Sequence, residues 1–308
     1  MPAERLAAIF IAGPTASGKS ALATALARRH DGVVVNTDSM QVYADLRTLT
    51  ARPTAEEEAS VPHRLYGHVD GAVNYSAGQF ARDVTALLID LRDRMPVFVG
   101  GTGLYFRALE EGLSEIPPIP DAVRTSVRTR CEGRATEDLH SELAAHDPMG
   151  AALVRPSDRA RVMRALEVHS ATGRPIAEFR GEPVPGPLAG RRLRKVFLAP
   201  DRERLRRRID DRFRKMLREG ALDEVARLRG RGLDPLLPIM RAHGVPGLIA
   251  HLDGAISLED AIIRGQNDTR RYAKRQFTWF RHQMGTEWLW LDPEEVDVAE
   301  HLSGRAAQ

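Results

Sequence analysis

Eight consecutive residues, Gly13-Pro14-Thr15-Ala16-Ser17-Gly18-Lys19-Ser20, fit the spacing G-x-x-x-x-G-K-[ST] at every fixed position. Glycines at these places let the backbone wrap an anion so that successive N–H groups face it. The positive end of a following helix adds to the attraction. Lys19 suits a terminal phosphate and the Ser20 hydroxyl suits Mg²⁺. The loop therefore binds a phosphorylated ligand. Asp38 follows the β-branched run Val33–Asn36 and Thr37, and ligands of open α/β sheets gather at such strand ends. It is a candidate to act on whatever the loop holds, with a helix N-cap or an outer ligand of Mg²⁺ as the other readings. Gly100-Gly101-Thr102-Gly103 makes a second loop at a strand end, where glycines permit close backbone approach and Thr102 offers a hydroxyl.

These residues need a scaffold that brings strand ends together. Leu6 to Ala12 reads as a buried strand, Lys19 to His30 has helical spacing with a stop at Asp31-Gly32, and Val33–Asn36 reads as a second strand. Strand, helix and strand within ~30 residues form a βαβ unit and favour a parallel sheet. Phe80 to Arg94 adds a helix and Val97 to Val99 another strand. After Ile116-Pro117-Pro118-Ile119-Pro120 the texture becomes polar and helical: Asp121–Arg134, Glu137–Ala145 and Ser157–Thr172, then a loop rich in Pro and Gly from Gly181 to Gly190. Val196 to Ala199 reads as a strand returning to the sheet, Arg202–Arg229 and Leu258–His282 as long basic helices, and Trp288–Leu291 as a last strand. The expected fold is α/β: a P-loop-type parallel sheet flanked by helices, with a mainly helical insertion domain. Residues 1–117 and 191–308 form the core and 118–190 the insertion.

Composition narrows the partners. The chain has 308 residues, 43% hydrophobic and 28% charged, which suits a globular protein with a buried core. One cysteine, Cys131, excludes a disulfide framework and any multi-cysteine zinc site. No apolar run approaches ~18 residues, so no membrane is expected. Met1-Pro2-Ala3-Glu4-Arg5 shows no secretory pattern, and the cytoplasm is the expected location. Net charge is only +3, yet Arg191–Arg231 holds 16 basic and 7 acidic residues, and Arg264–His282 holds six basic residues against Asp268. Two basic segments in one half of the chain point to a polyanion. His63 and His68 lack nearby ligand partners and read as structural, Cys131 as an incidental thiol, and Trp279, Trp288 and Trp290 as packing residues. The phosphate loop alone would also suit a small-molecule or nucleoside kinase.

Taken together the motifs resemble the tRNA dimethylallyltransferase family, also called tRNA isopentenyltransferases. Besides the phosphate loop, the resemblance runs through Asn-Thr-Asp-Ser-Met-Gln-Val-Tyr at 36–43, Pro-His-Arg-Leu at 62–65 and Val-Gly-Gly-Thr-Gly-Leu-Tyr-Phe at 99–106. It continues through Arg-Ala-Leu-Glu-Val at 164–168, Arg-Ile-Asp-Asp-Arg-Phe at 208–213 and Ala-Lys-Arg-Gln-Phe-Thr-Trp-Phe at 273–280. It implies transfer of a dimethylallyl group from dimethylallyl diphosphate to N6 of adenosine 37 in the tRNA anticodon stem-loop, with Mg²⁺ at Ser20 and no obligate protein partner. By the same resemblance Asp38 is the general base, Thr102 lies at the reacting centre, and Lys19 with Arg208 or Arg212 stabilises the diphosphate. Contacts to tRNA fall on Asp38, Ser39, Met40 and Gln41, on Thr102 and Arg124, and on Ser157, Asp158, Arg159, Ala160 and Arg161. A last segment comprises Met240, Arg241, Ala242, His243, Gly244 and Val245. Three places depart from the family's usual residues: Ser157-Asp158 for Asn-Asp, Val245-Pro246 for Tyr-Arg, and Arg52 for lysine.

Overall fold

The computed structural model describes residues 6–179, 181, 183–295, 298 and 302. Its first strand, Ala8–Ala12 (β1), is buried at every residue. Ala8, Phe10 and Ala12 join one apolar cluster, while Ile9 and Ile11 join another on the opposite face. A strand covered on both faces has no polar side to present, which is why it reads as an unbroken apolar run. The remaining strands are Val33–Asn36 (β2), His63–Arg64 (β3), Pro96–Gly100 (β4), Leu193–Leu198 (β5) and Leu289–Leu291 (β6). All pairings are parallel, in the order β3-β2-β4-β1-β5-β6.

Helix Lys19–Arg29 (α1) covers one face through Ala23, Leu26 and Ala27. After the short helix Ala55–Ser60 (α2), the other face receives Ala77–Leu91 (α3) and Gly103–Glu110 (α4). Helix α3 begins three residues before the apolar periodicity does, because Ser76 and Gln79 form a capping box. The same core takes in Arg202–Arg218, Ala221–Gly230, Val245–Leu252 and Leu258–Gln283, which are α9 to α12 in chain order. The expected single helix from Arg202 to Arg229 is thus two. Gly220 lies between them at φ 94°, a conformation that glycine adopts without steric cost. Trp288 precedes β6 rather than forming part of it, and packs among Phe10, Phe106 and Phe280. Trp290 lies on the edge strand, 36% exposed, with its ring 4.2 Å from that of Phe197.

A carboxylate ties the β2–α2 connection to α10. Glu224, buried on α10, accepts hydrogen bonds from three consecutive backbone amides, Arg47, Thr48 and Leu49, at 2.8–3.1 Å. His63 Nδ1 is 2.9 Å from the Val61 carbonyl and His68 Nε2 is 3.3 Å from Asp83.

The chain divides into two compact units, residues 6–110 with 187 onwards, and Glu111–Gly186. The second unit contains Asp121–Cys131 (α5), Thr136–His146 (α6), Pro148–Ala152 (α7) and Arg159–Thr172 (α8). Val127, Leu139, Leu143, Val162 and Leu166 form its separate core, and Cys131 is wholly buried among them. Asp147, also buried, accepts from the amides of Gly150 (2.6 Å) and Ile176 (2.8 Å), so its charge satisfies donors the core would otherwise strand.

Candidate active site

The carboxyl end of β1 runs into the phosphate loop, and α1 begins at its lysine. Ala16 adopts φ 63°, which costs an L-residue ~1 kcal/mol. Its methyl packs against Leu205, Ile209 and Ala273, a small cluster joining α9 and α12. The Lys19 ammonium donates to the Pro14 carbonyl at 3.1 Å. Burial lowers its pKa from 10.5 to about 8; Asp38 opposes that shift and Arg212 adds to it. The Ser17 hydroxyl is buried in the loop with no protein partner among the described residues.

Asp38 emerges from β2 on a local scaffold that motif spacing does not reveal. The buried side chain of Asn36 accepts from the Asp38 amide at 2.8 Å and donates to the Asp38 carbonyl (2.9 Å) and the Leu65 carbonyl (3.0 Å). One Asp38 oxygen accepts from the Met40 amide at 2.9 Å. From the neighbouring strand end, Thr102 Oγ1 accepts from the Ser39 amide at 3.0 Å and donates to Ser39 Oγ at 3.2 Å. Gly100 allows this approach: a side chain there would collide with the backbone of Thr37. An asparagine two residues before an acid, followed by a glycine-threonine loop, is the signal in the sequence that could have found this scaffold.

Helix α9 places the two arginines in different surroundings. It buries Leu205, Ile209, Phe213 and Met216, which places Arg204, Arg208 and Arg212 along one row four residues apart. Arg204 pairs with Asp292 and Glu294, and Arg208 pairs with Glu294. Arg212, one turn further, is close enough to Asp38 and Lys19 to shift charge equilibria at the site. Its own pKa is lowered by burial, against the attraction of Asp38. Lys19, Asp38 and Arg212 therefore come together, while Arg208 is engaged elsewhere.

Two α12 residues absent from the expected set also belong here. Gln276 donates to the Gly101 carbonyl at 2.9 Å, and burial pushes the pKa of the Tyr272 hydroxyl up, with the Asp38 charge adding to the shift. His243 lies with its ring 4.7 Å from that of Tyr272, and burial lowers its pKa. Among its neighbours, Ala242, Gly244 and Val245 are buried, Met240 is half-buried and Arg241 is exposed. Gln41 donates to the carbonyls of Thr50 and Ala51. In the helical unit, Arg124 donates to the Ile119 carbonyl at 3.2 Å, and Asp158 caps α8 by accepting from Arg161 N. The Arg159 guanidinium binds the carbonyls of Cys131 and Arg134, closing the end of α5. Ser157, Ala160 and Arg161 are exposed.

The donor set suits a hard divalent cation. Ser20 presents an exposed hydroxyl at the first turn of α1. Among the described residues no three His, Cys, Asp or Glu side chains form a cage. A cation of the Mg²⁺ type, which keeps several waters and takes phosphate oxygens, needs no cage.

A parallel sheet with a phosphate loop, a carboxylate and two cations at its carboxyl ends defines a P-loop-type enzyme acting on a phosphorylated substrate. The family model described as IPP transferase matches residues 41–283. The chain is 74% identical over 299 residues to the tRNA dimethylallyltransferase of Methylobacterium radiotolerans, covering 97% of each. The crystal structure of a full-length tRNA isopentenylpyrophosphate transferase from Bacillus halodurans is similar with TM-score 0.69 and 32% identity, covering 97% of this chain and 96% of that one. A eukaryotic dimethylallyltransferase acting on tRNA gives TM-score 0.78 at 28% identity, over 97% of this chain and 77% of that one. This chain belongs to the IPP transferase family.

Proposed function

We infer that the protein transfers the dimethylallyl group of dimethylallyl diphosphate to N6 of adenosine 37 in tRNA and releases diphosphate. The observation that carries this reading is the meeting of Lys19 and Arg212 with the Asp38 carboxylate beside the phosphate loop. Breaking the allylic C1–O bond leaves its electron pair on diphosphate. The loop amides, Lys19 and Arg212 face that charge as it develops. Ser20 would hold Mg²⁺, which would supply a further positive charge beside the leaving diphosphate. The N6 amine is a weak nucleophile because its lone pair is delocalised into the purine. As the N6–C1 bond forms, Asp38 takes a proton from nitrogen, an assistance worth ~10²–10⁴ in rate. We assign Arg212 rather than Arg208 to the diphosphate, because Arg208 is paired with Glu294.

A base stacked in the anticodon loop cannot reach these groups, so the adenosine is extruded to meet them. Ser39, Met40, Gln41, Thr102 and the 240–245 segment form its surroundings. Arg124 and residues 157–161 carry the helical unit's contacts to the anticodon stem. Among the described residues no helix is long and apolar enough to cross a membrane, and we place the enzyme in the cytoplasm with its tRNA.

The test is incubation with labelled dimethylallyl diphosphate and unmodified tRNA, followed by nucleoside analysis. Label is expected on adenosine. Unlabelled tRNA together with triphosphate turnover on a small metabolite would instead establish the kinase. Asp38→Ala is expected to keep tRNA affinity within about threefold while losing ~10²–10⁴ in transfer rate, because the proton moves only in the transition state.

A further inference from the structure

Strand β2 stops at Asn36, whose partner across the sheet is Val99, so the backbone of Asp38 has no strand ladder to join. The Asn36 carboxamide stands in for one. Its oxygen accepts from the Asp38 amide at 2.8 Å, while its nitrogen donates to the Asp38 carbonyl at 2.9 Å and to the Leu65 carbonyl at 3.0 Å. Carbonyls only accept and a backbone amide only donates, so the carboxamide fits one way round. The side chain is wholly buried, where water cannot replace a lost partner. The next two amides are held as well: Ser39 donates to Thr102 Oγ1 at 3.0 Å and Met40 to Asp38 Oδ1 at 2.9 Å. Three consecutive backbone amides are thus fixed by three different side chains. The Asp38 carboxylate inherits that rigidity. Its Oδ1 is turned back to the Met40 amide, and among the described residues no hydrogen bond reaches Oδ2.

We propose that Asn36 is a positioning residue: by gripping the Asp38 backbone on both sides it aims the carboxylate, leaving Oδ2 as the oxygen that takes the N6 proton. The N6–C1 bond forms from a nitrogen electron pair, and the C1–O pair leaves with diphosphate. One N6 proton passes to Oδ2, its N–H electron pair stays on nitrogen, and Asp38 becomes a neutral carboxylic acid. Oδ1 keeps the Met40 bond throughout, because a protonated carboxyl still accepts through its carbonyl oxygen. Proton transfer needs the acceptor within hydrogen-bond reach of the nitrogen, and a displacement of ~1 Å costs ~10² in rate. This inference rests on the transfer reaction proposed above and refines the part that Asp38 plays in it.

The experiment introduces Asn36→Ala into the wild type and into Asp38→Asn, and follows transfer of labelled dimethylallyl diphosphate to unmodified tRNA. Asp38→Asn keeps an oxygen for the Met40 amide but has no carboxylate to take the proton. In the wild-type background Asn36→Ala is expected to lower kcat roughly 10- to 100-fold, while KM for each substrate moves less than about threefold. In the Asp38→Asn background it should cost less than about twofold, because no base is left to aim. Asn36→Ser, whose hydroxyl can still satisfy one of the three backbone groups, should lose less than Asn36→Ala and show the same dependence on background. It carries the test if the alanine variant does not fold. Equal losses in both backgrounds would overturn the proposal, as would a raised KM at unchanged kcat. A wild-type enzyme that leaves tRNA unmodified would instead sink the transfer reaction itself, so the two failures are distinguishable.

Discussion

Burial disfavours the charged form of Lys19 more than Asp38 favours it, so its ammonium titrates at about 8 rather than 10.5. Between those values the folded protein holds fewer protons than the unfolded chain. Stability without ligand therefore rises with pH across that window, and it lacks this contribution below pH 8. Comparing unfolding of the wild type with Lys19→Met from pH 7 to 10.5 should show the wild type gaining relative to the variant as pH rises. Diphosphate prefers the charged form, so its affinity should fall with pH above about 8, a component that Lys19→Met removes in a calorimetric titration. Motif spacing located Lys19, Asp38 and Thr102 because their chemistry is tied to strand ends. It left Arg208 and Arg212 equivalent, since the choice depends on Glu294, a carboxylate more than eighty residues away that pairs with Arg208. Asn36 and Gln276 escaped notice for a related reason: each holds the backbone of another segment, and such roles leave no mark in local spacing.

At the level of elements, the strands were legible because burial on both faces writes an apolar run, and the longer helices because one apolar stripe recurs at helical spacing. Their limits depended on groups outside the pattern, such as the capping box at Ser76 and the left-handed Gly220. Short elements were hidden. His63–Arg64 adds only two residues to the sheet, and Val245–Leu252 opens with Pro246 in its first turn. The stretch after β2 shows what replaces regular structure there. Three successive amides, which would otherwise seek water or a ladder, converge on Glu224. Glu224→Ala strands them and should lower unfolding free energy by ~2–4 kcal/mol in urea denaturation. Glu224→Gln, keeping one acceptor oxygen, should cost less.

Across the whole molecule, the modest net charge hides a division of labour among the arginines. Arg204, Arg208, Arg214 and Arg231 are committed to carboxylates. Arg206 and Arg207, exposed on α9, have no ion pair among the described residues. They are among the cations available to a polyanion. Replacing both with Glu should weaken tRNA binding and flatten the plot of log affinity against log salt, by roughly 0.7–0.9 in slope for each phosphate that is no longer neutralised. An unchanged slope would place the RNA on another surface.

The strand order carries a consequence for biosynthesis. Strand β1 lies between β4 and β5, so one flank can be satisfied once residue 100 has emerged, whereas the other waits for residues 193–198. The intervening length includes the helical unit, whose apolar interior is its own and can consolidate during translation. Until β5 leaves the ribosome, the most hydrophobic strand of the nascent chain shows an open margin to the cell. Chaperone dependence should peak in that interval of elongation and end with the arrival of β5.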